Sequence, residues 1–186
     1  FDACERLHLK RAFKNLGWVA GKPAKRGRAR STYDDEVTVV TPRATLKNPT
    51  KGNTFIVWRE GEVADFELRL QFRIVGGNSG IQYRSKEVDK WVISGYQADF
   101  DGPGGWTGTL YEERGRGVLA KRGNKVHITE TGEKKAAGKT TPEADILAVI
   151  NKEDWNDYTI IASGNRLVQI INGKTYALIF YNWIIN

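Results

Sequence analysis

Residues 65–84 read DFELRLQFRIVGGNSGIQYR, and this stretch decides the fold. From Phe66 to Ile74 apolar side chains alternate with charged or polar ones without a break, which is the period of a half-buried β-strand. Residues 76–80 then supply turn formers, and the alternation resumes at Ile81. With another strand predicted over residues 91–100, the pattern indicates a β-meander with one buried face and one face open to water or a ligand.

Short strands with turn signals continue on both sides of this stretch. We predict them over residues 36–41, 54–58, 126–129, 155–162, 166–171 and 175–180, with polar loops over 100–109 and 132–139. Ser163-Gly164-Asn165 and Asn172-Gly173 are hairpin signals. Thr141-Pro142-Glu143 is typical of a helix start, with Thr141 as the cap. We therefore expect an all-β sandwich of two antiparallel sheets with one short helix near 141–151.

The net charge of +7 is concentrated at the N-terminus. Residues 1–44 hold 10 lysines and arginines against 5 acids, and the remainder is nearly balanced. We divide the chain into this basic segment, which could add edge strands, and a β-sandwich domain over 45–186. Residues 22–30 could be a polyanion-binding arm or a solvated loop; since no aromatic residue is interleaved for base stacking, we do not expect nucleic acid as a partner.

Several classes of site and location find no support in the sequence. Cys4 is the only cysteine, so no internal disulfide is possible. No run of 18 apolar residues is present, so we expect no membrane span. His8 and His127 lie far apart in sequence, which does not indicate a zinc site. Neither the compartment nor the oligomeric state follows from these features.

A set of short motifs resembles one known family. In chain order they are DFEL (65–68), GNSGIQYR (77–84), GYQAD (95–99), TGTLY (107–111), WNDY (155–158), GNR (164–166) and ING (171–173). Together they resemble the bacterial 3-keto-disaccharide hydrolase family over about residues 45–175, whereas residues 1–44 and 176–186 do not match its usual ends. The resemblance implies a concanavalin A-like jelly roll, a carbohydrate partner on a concave face, and a periplasmic or secreted location.

The resemblance also implies a reaction. A ketone at C3 of a sugar acidifies the hydrogen on C2, so a base can form an enolate that expels the group at C1, and water can then add. The reaction needs a base, a positive partner for the enolate oxygen, and an acid at the leaving oxygen. We assign the base to Asp99 or Glu113, the positive partner to Arg84, and the acid to Tyr111 or Glu112. Strand alternation predicts that Arg84, Gln97 and Asp99 share one face.

Substrate binding is assigned to a further group of residues: Asn78, Gln97, Trp106, Arg114, Arg116 and Gln169. Trp106 could stack on a sugar ring or anchor its own loop, and the two arginines could hold hydroxyls or pair with acids. Gln97 and Gln169 stand where many family members have Glu and His, so a non-catalytic carbohydrate-binding or accessory domain is the alternative. No cofactor is certain; Asp99 and Asp101 could hold calcium, although two acids are too few for a coordination shell.

Overall fold

The computed structural model describes residues 62–89 and 92–182 with their side chains. Outside these ranges it describes only the backbone of four short strands: β1 (Lys22–Pro23), β2 (Ala29–Arg30), β3 (Glu36–Val39) and β4 (Ile56–Val57). These four pair in that order as one antiparallel sheet. The predicted polyanion arm and the boundary near residue 44 lie mostly outside the described residues, so both stay predictions.

The other strands form two sheets. The larger has six strands, in spatial order β11 (Lys134–Lys139), β10 (Asn124–Ile128), β14 (Lys174–Tyr181), β13 (Arg166–Ile171), β12 (Asn156–Ser163) and β5 (Phe66–Phe72). The smaller has four, in the order β6 (Asn78–Asp89), β7 (Val92–Asp101), β8 (Leu110–Glu113) and β9 (Gly117–Ala120). Neighbours are antiparallel except β10 and β14, which are parallel. The helix α1 covers Glu143–Ala148.

The core lies between these two sheets and is rich in aromatic rings. Phe72 of β5 stacks on Phe100 of β7 with ring centroids 4.4 Å apart, and Tyr158 of β12 lies 5.8 Å from Phe72. All three side chains are almost completely buried. Because apolar residues alternate along the strands of each sheet, one face of each is driven against the other. The predicted all-β sandwich with a short helix is confirmed.

Three local predictions were wrong. Strand β5 does not continue into a meander with β6; it pairs with β12 of the other sheet, because alternation reports which face is buried but not which strand lies alongside. Residues 134–139 are strand β11 rather than loop; this edge strand is exposed throughout, so it carries no apolar period. Helix α1 is preceded by Pro142 without a side-chain cap, so Thr141 is not the capping residue.

The hairpin predictions in the larger sheet are confirmed. Gly164 lies in the turn between β12 and β13, and Asn172-Gly173 joins β13 to β14 with φ values of 47° and 77°. Positive φ at both central residues is what a tight hairpin turn of this kind requires, and Asn followed by Gly tolerates it best. No helix in the described part of the chain is long and apolar enough to cross a membrane.

Candidate functional site

The face of the smaller sheet that points away from the core carries a row of polar side chains. In the register, Gln82 of β6 pairs with Gln97 of β7, which pairs with Tyr111 of β8. Ala98 and Phe100 of β7 are fully buried toward the core. By alternation Gln97 and Asp99 point away from the core, so the outer face of the smaller sheet is polar.

Three of these side chains are joined in series. Nε2 of Gln82 donates to Oε1 of Gln97 at 2.9 Å, and Nε2 of Gln97 donates to Oδ1 of Asp99 at 2.5 Å. The residue opposite Asp99 in the register is Gly80, which has no side chain to cover the row. We call Gln82, Gln97 and Asp99 the amide–carboxylate row. Its carboxylate end receives a strong, charge-assisted hydrogen bond.

Asp99 has a proton affinity that differs from that of an ordinary carboxyl group. Burial, with only 4% of the residue exposed, raises the pKa of Asp99 to about 6. The hydrogen bond from Gln97 works in the opposite direction, and the negative charges of Asp101 and Glu113 add to the increase. A carboxyl group with this pKa is mostly ionised at pH 7 and can both take and return a proton, which suits a general base.

Asp101 organises the loop that follows β7. Its Oδ1 accepts hydrogen bonds from the backbone N–H groups of Trp106 and Thr107, both at 2.9 Å, and from the Thr107 hydroxyl. Its Oδ2 accepts the backbone N–H of Gly105 at 2.9 Å. The carboxylate is buried, and its acceptor sites are used by the loop itself. Asp101 therefore fixes loop 102–109, and the calcium site predicted at Asp99 and Asp101 stays a prediction.

Trp106 projects from this loop. Its residue is 49% exposed although its backbone is held by Asp101, so the indole is presented to solvent on an anchored support. The same loop is tied to Asp99, whose backbone N–H donates to the carbonyl of Thr109 at 3.0 Å and whose carbonyl accepts the N–H of Gly108 at 2.9 Å. Of the two predicted roles for Trp106, an exposed platform fits this geometry and a buried anchor does not.

Three other predicted site residues share the outer face. Tyr111 is opposite Gln97, and Glu113 is opposite Gly95, two pairs further along β7 and β8. Asn78, at the start of β6, is exposed and opposite Asp101. These positions place a phenol, a second carboxylate and an amide on the same face as the amide–carboxylate row.

Arg84 does not join the row, because a β-bulge interrupts the alternation. Tyr83 pairs with Tyr96 and Lys86 with Ser94, so two residues of β6 lie opposite Gly95 alone, and Arg84 has a φ of 45°. Its guanidinium donates to Oδ1 of Asp65 and to the carbonyl of Gly164, each at 2.8 Å, and to a further carbonyl in the segment before β5. Arg84 thus ties β6 to the larger sheet, and the predicted shared face is corrected to Gln97 and Asp99.

Glu112 and Arg116 form an ion pair at the edge of the core rather than on the outer face. Glu112 pairs with Tyr96 in the register and points to the same side. Arg116 Nε lies 2.6 Å from Glu112 Oε2, and the guanidinium lies 5.2 Å from the centre of the Tyr181 ring. Partial burial acts to raise the pKa of Glu112, but the hydrogen bonds and charge of Arg116 outweigh it and hold this pKa below its usual value.

The last two predicted binding residues lie elsewhere. Gln169 is fully buried between the sheets, where its Oε1 accepts a hydrogen bond from the Tyr158 hydroxyl at 2.9 Å. Arg114 is exposed in the turn between β8 and β9, with a φ of 54°. The outer face therefore gathers Asn78, Gln97, Asp99, Tyr111 and Glu113, whereas Arg84, Glu112, Arg116 and Gln169 make contacts elsewhere.

Two residues of the site were not singled out from the sequence. Gln82 donates into the amide–carboxylate row, and Gly80 leaves room beside it, since a Cβ atom there would lie 2.7 Å from Cγ of Gln97. The sequence could have indicated Gln82, because strand alternation places it on the same face as Gln97 once β6 and β7 are taken to pair. In the described ranges no group of three or more His, Cys, Asp or Glu side chains could hold a metal ion.

These features define a class of protein: an all-β sandwich with a carboxylate of raised pKa, a phenol and an exposed indole assembled around one outer sheet face. The comparison with protein families identifies the family. The model of the 3-keto-alpha-glucoside-1,2-lyase-like domain matches residues 14–179, so this chain belongs to that family. No curated protein matches the chain.

Proposed function

We propose that this protein cleaves 3-keto-glycosides on the outer face of the smaller sheet, with Asp99 as the base. The observation that carries the proposal is the buried Asp99 carboxylate, whose pKa is raised to about 6 on a sheet face that also holds Tyr111 and Glu113. Family membership supplies the substrate class, because the family is described as 3-keto-alpha-glucoside-1,2-lyase-like. We also propose, from the family resemblance, a periplasmic or secreted location.

The proposed reaction begins with proton transfer. Asp99 takes the hydrogen from C2 of the keto sugar as a proton, and the electron pair of the C2–H bond forms an enolate with the C3 carbonyl. The enolate then reforms the ketone as a double bond forms between C1 and C2 and the bond between C1 and the glycosidic oxygen breaks. Tyr111, opposite Gln97 on β8, gives a proton to the leaving oxygen. Addition of water to the double bond completes hydrolysis.

The enolate oxygen needs a positive partner, and Arg84 is engaged by Asp65 and two carbonyl groups. We assign this role to Arg114. It follows Glu113 directly in the turn after β8, is exposed, and forms no hydrogen bond or ion pair with another described residue. An arginine guanidinium offers a planar pair of donors to an oxyanion.

The test is incubation with a panel of 3-keto-disaccharides and the matching unoxidised disaccharides, followed by product analysis, with and without a chelator. We expect cleavage of the keto sugars only, because only a C3 ketone acidifies the C2 hydrogen. Asp99→Asn should lower kcat/KM by at least about a hundredfold, as loss of a general base does. Cleavage of the unoxidised sugars, or undiminished turnover by Asp99→Asn, would contradict the proposal.

A carbohydrate-binding role without catalysis is the second candidate, and the exposed indole of Trp106 on its anchored loop favours it. An aromatic side chain presented flat to solvent can bind the apolar face of a sugar ring. Binding of keto and unoxidised sugars with similar affinity, together with no turnover of either, would support this role. The two candidates are therefore separated by the same panel when affinity is measured beside product formation.

A further inference from the structure

We propose that Gln82 is a positioning residue, which acts on Asp99 through Gln97 by fixing the orientation of the Gln97 amide. This inference deepens the proposed function, in which Asp99 is the base. It starts from the order of donors in the amide–carboxylate row: Gln82 to Gln97 at 2.9 Å, then Gln97 to Asp99 at 2.5 Å.

The direction of both hydrogen bonds follows from the carboxylate. An ionised carboxylate only accepts, so Gln97 must turn its NH2 group toward Asp99. Its oxygen then faces Gln82, and Gln82 must supply an NH2 group. When Asp99 is protonated its hydroxyl can donate, so without Gln82 the Gln97 amide could turn its oxygen toward Asp99 and lose no partner on the other side. Gln82 opposes this turn, because the turned Gln97 amide would set its NH2 group against that of Gln82. Gln82 thereby favours the orientation of Gln97 that stabilises the ionised carboxylate.

The far end of the row leaves one acceptor unused within the described part of the chain: Oε1 of Gln82 is buried, and no described residue donates to it. A buried acceptor without a donor costs about 1–3 kcal/mol. This cost is tolerated in the orientation that keeps the Gln82 NH2 on Gln97, and therefore the Gln97 NH2 on Asp99. In a row of aligned amides each hydrogen bond polarises the next, which strengthens the last bond to the carboxylate.

The charged groups that act on Asp99 are Asp101 on its own strand and Glu113 on β8, and the residue opposite it on β6 is Gly80. None of these is altered by a substitution at position 82. A change in the Asp99 proton affinity on replacing Gln82 would therefore report the row itself. The substitution Gln82→Met keeps the length and flexibility of the side chain but removes the donor.

The experiment is a ¹³C NMR titration of the Asp99 carboxyl group, whose signal is assigned by its absence in Asp99→Asn. We expect Gln97→Met to raise the Asp99 pKa by about one unit, a tenfold change in proton affinity, because the direct donor is lost. Gln82→Met should raise it less, by about threefold in proton affinity. Combining both substitutions should give the value of Gln97→Met alone, because Gln82 acts only through Gln97.

The matched control is Gln71→Met. Gln71 donates to Asp157 at 2.8 Å on the exposed face of the larger sheet, so it is another glutamine–aspartate pair remote from Asp99. It should leave the Asp99 titration unchanged. If Gln82→Met does not fold, Gln82→Glu serves instead. A carboxylate at position 82 attracts the Gln97 NH2 group away from Asp99 and also adds a negative charge. The change in the Asp99 pKa that acts through Gln97 should disappear in the Gln97→Met background, whereas the change due to the added charge should persist.

An unchanged Asp99 titration in Gln82→Met, or an equal change with and without Gln97, would overturn the proposal. The titration needs no turnover, so its outcome is independent of the proposed function. If the titration shifts as expected but no keto-glycoside is cleaved, the row is supported and the catalytic role of Asp99 fails. If keto-glycosides are cleaved and the titration does not shift, Gln82 has no positioning role.

Discussion

A Cβ atom placed on Gly80 would lie 2.7 Å from Cγ of Gln97, so the side chain of Gln97 occupies the space that any other residue at position 80 would need. Gly80 also lies opposite Asp99 in the register of β6 and β7. A glycine on one strand thus allows an amide on the next to lie across it and reach a buried carboxylate. The geometry of the outer face depends on this pair as much as on Asp99.

Gly80→Ala should displace Gln97 from Asp99. We expect the free energy of unfolding to fall by about 1–3 kcal/mol, the usual cost of overpacking, and kcat/KM on a 3-keto-disaccharide to fall as well. Chemical denaturation and steady-state kinetics measure the two effects. Gly105→Ala is the control, because a Cβ there would meet only Asp101 at 3.7 Å. Equal behaviour of the two variants would contradict the account of Gly80.

The activity should depend on pH through Asp99. As the base it must be ionised, and burial raises its pKa to about 6, so kcat/KM should rise as the pH passes through about 6 and level off above it. The measurement is a pH profile of kcat/KM between about pH 4 and about pH 8, roughly two units on either side of the midpoint. A flat profile would show that Asp99 is not the titrating base.

Asp99→Asn should stabilise the fold at neutral pH. The carboxyl pKa is about 6 in the folded protein against 3.8 as its ordinary value, so the folded state binds the proton more tightly. Stability therefore falls as the pH rises from about 4 to about 6 and stays reduced above that. We expect Asp99→Asn to be more stable than the wild type by about 1–3 kcal/mol at pH 7.5, with the difference shrinking toward pH 4.

Denaturation of both proteins at several pH values checks this expectation. Asp157→Asn, which removes an exposed carboxylate on the larger sheet, controls for loss of a surface charge. If Asp99→Asn were less stable than the wild type at pH 7.5, other interactions of the Asp99 carboxylate would outweigh the cost of burying its charge. That result would contradict the expected destabilisation by Asp99.

Glu112→Gln should reduce stability while leaving the chemistry intact. It leaves Arg116 near Tyr96 and Tyr181 without its carboxylate, which we expect to cost about 1–2 kcal/mol for a pair partly shielded from water. Because the folded pKa of Glu112 is lowered, its contribution is present above the ordinary value of 4.5 and is lost as the pH falls below it. The measurement is unfolding at pH 7 and pH 3.5, beside kcat at a temperature where the variant is folded.

The control for this variant is Glu67→Gln, which breaks an exposed pair with Arg69 and should change stability little. If Glu112→Gln remained folded and stable but lost turnover, Glu112 would be the acid at the leaving oxygen after all, and the assignment to Tyr111 would fail.

Trp106→Ala should weaken ligand binding and lower stability only modestly. The residue is 49% exposed, so about half of its surface is buried, and its removal should lower the free energy of unfolding by about 1 kcal/mol, less than for an aromatic residue of the core. Loss of one stacking surface should weaken affinity for a bound sugar by roughly three- to tenfold. Isothermal titration with a saturating disaccharide measures it. Leu147→Ala, at a residue 48% exposed on α1, is the control, and equal affinity of the two variants would remove Trp106 from the site.

Much of this site could be predicted from the sequence, and the predictions that failed concern features set by contacts between strands. Alternation placed Gln97 and Asp99 on one face because both lie in an uninterrupted part of β7. It misplaced Arg84, since the bulge opposite Gly95 shifts the parity of β6 by one residue. The buried position of Gln169 was equally hidden, because a polar residue in the core is tolerated only through a partner, here Tyr158, that lies on another strand.

The sequence by itself determined the class of fold, the positions of most strands and the two tight hairpins of the larger sheet, because hydrophobic period and turn chemistry are local properties of the chain. Only the tertiary structure decided which strands lie side by side, that β5 pairs with β12, and that Gln82 reaches Asp99 through Gln97. The physical reason is that pairing and burial depend on contacts between residues distant in sequence. The raised pKa of Asp99 is a product of those contacts and has no local signature.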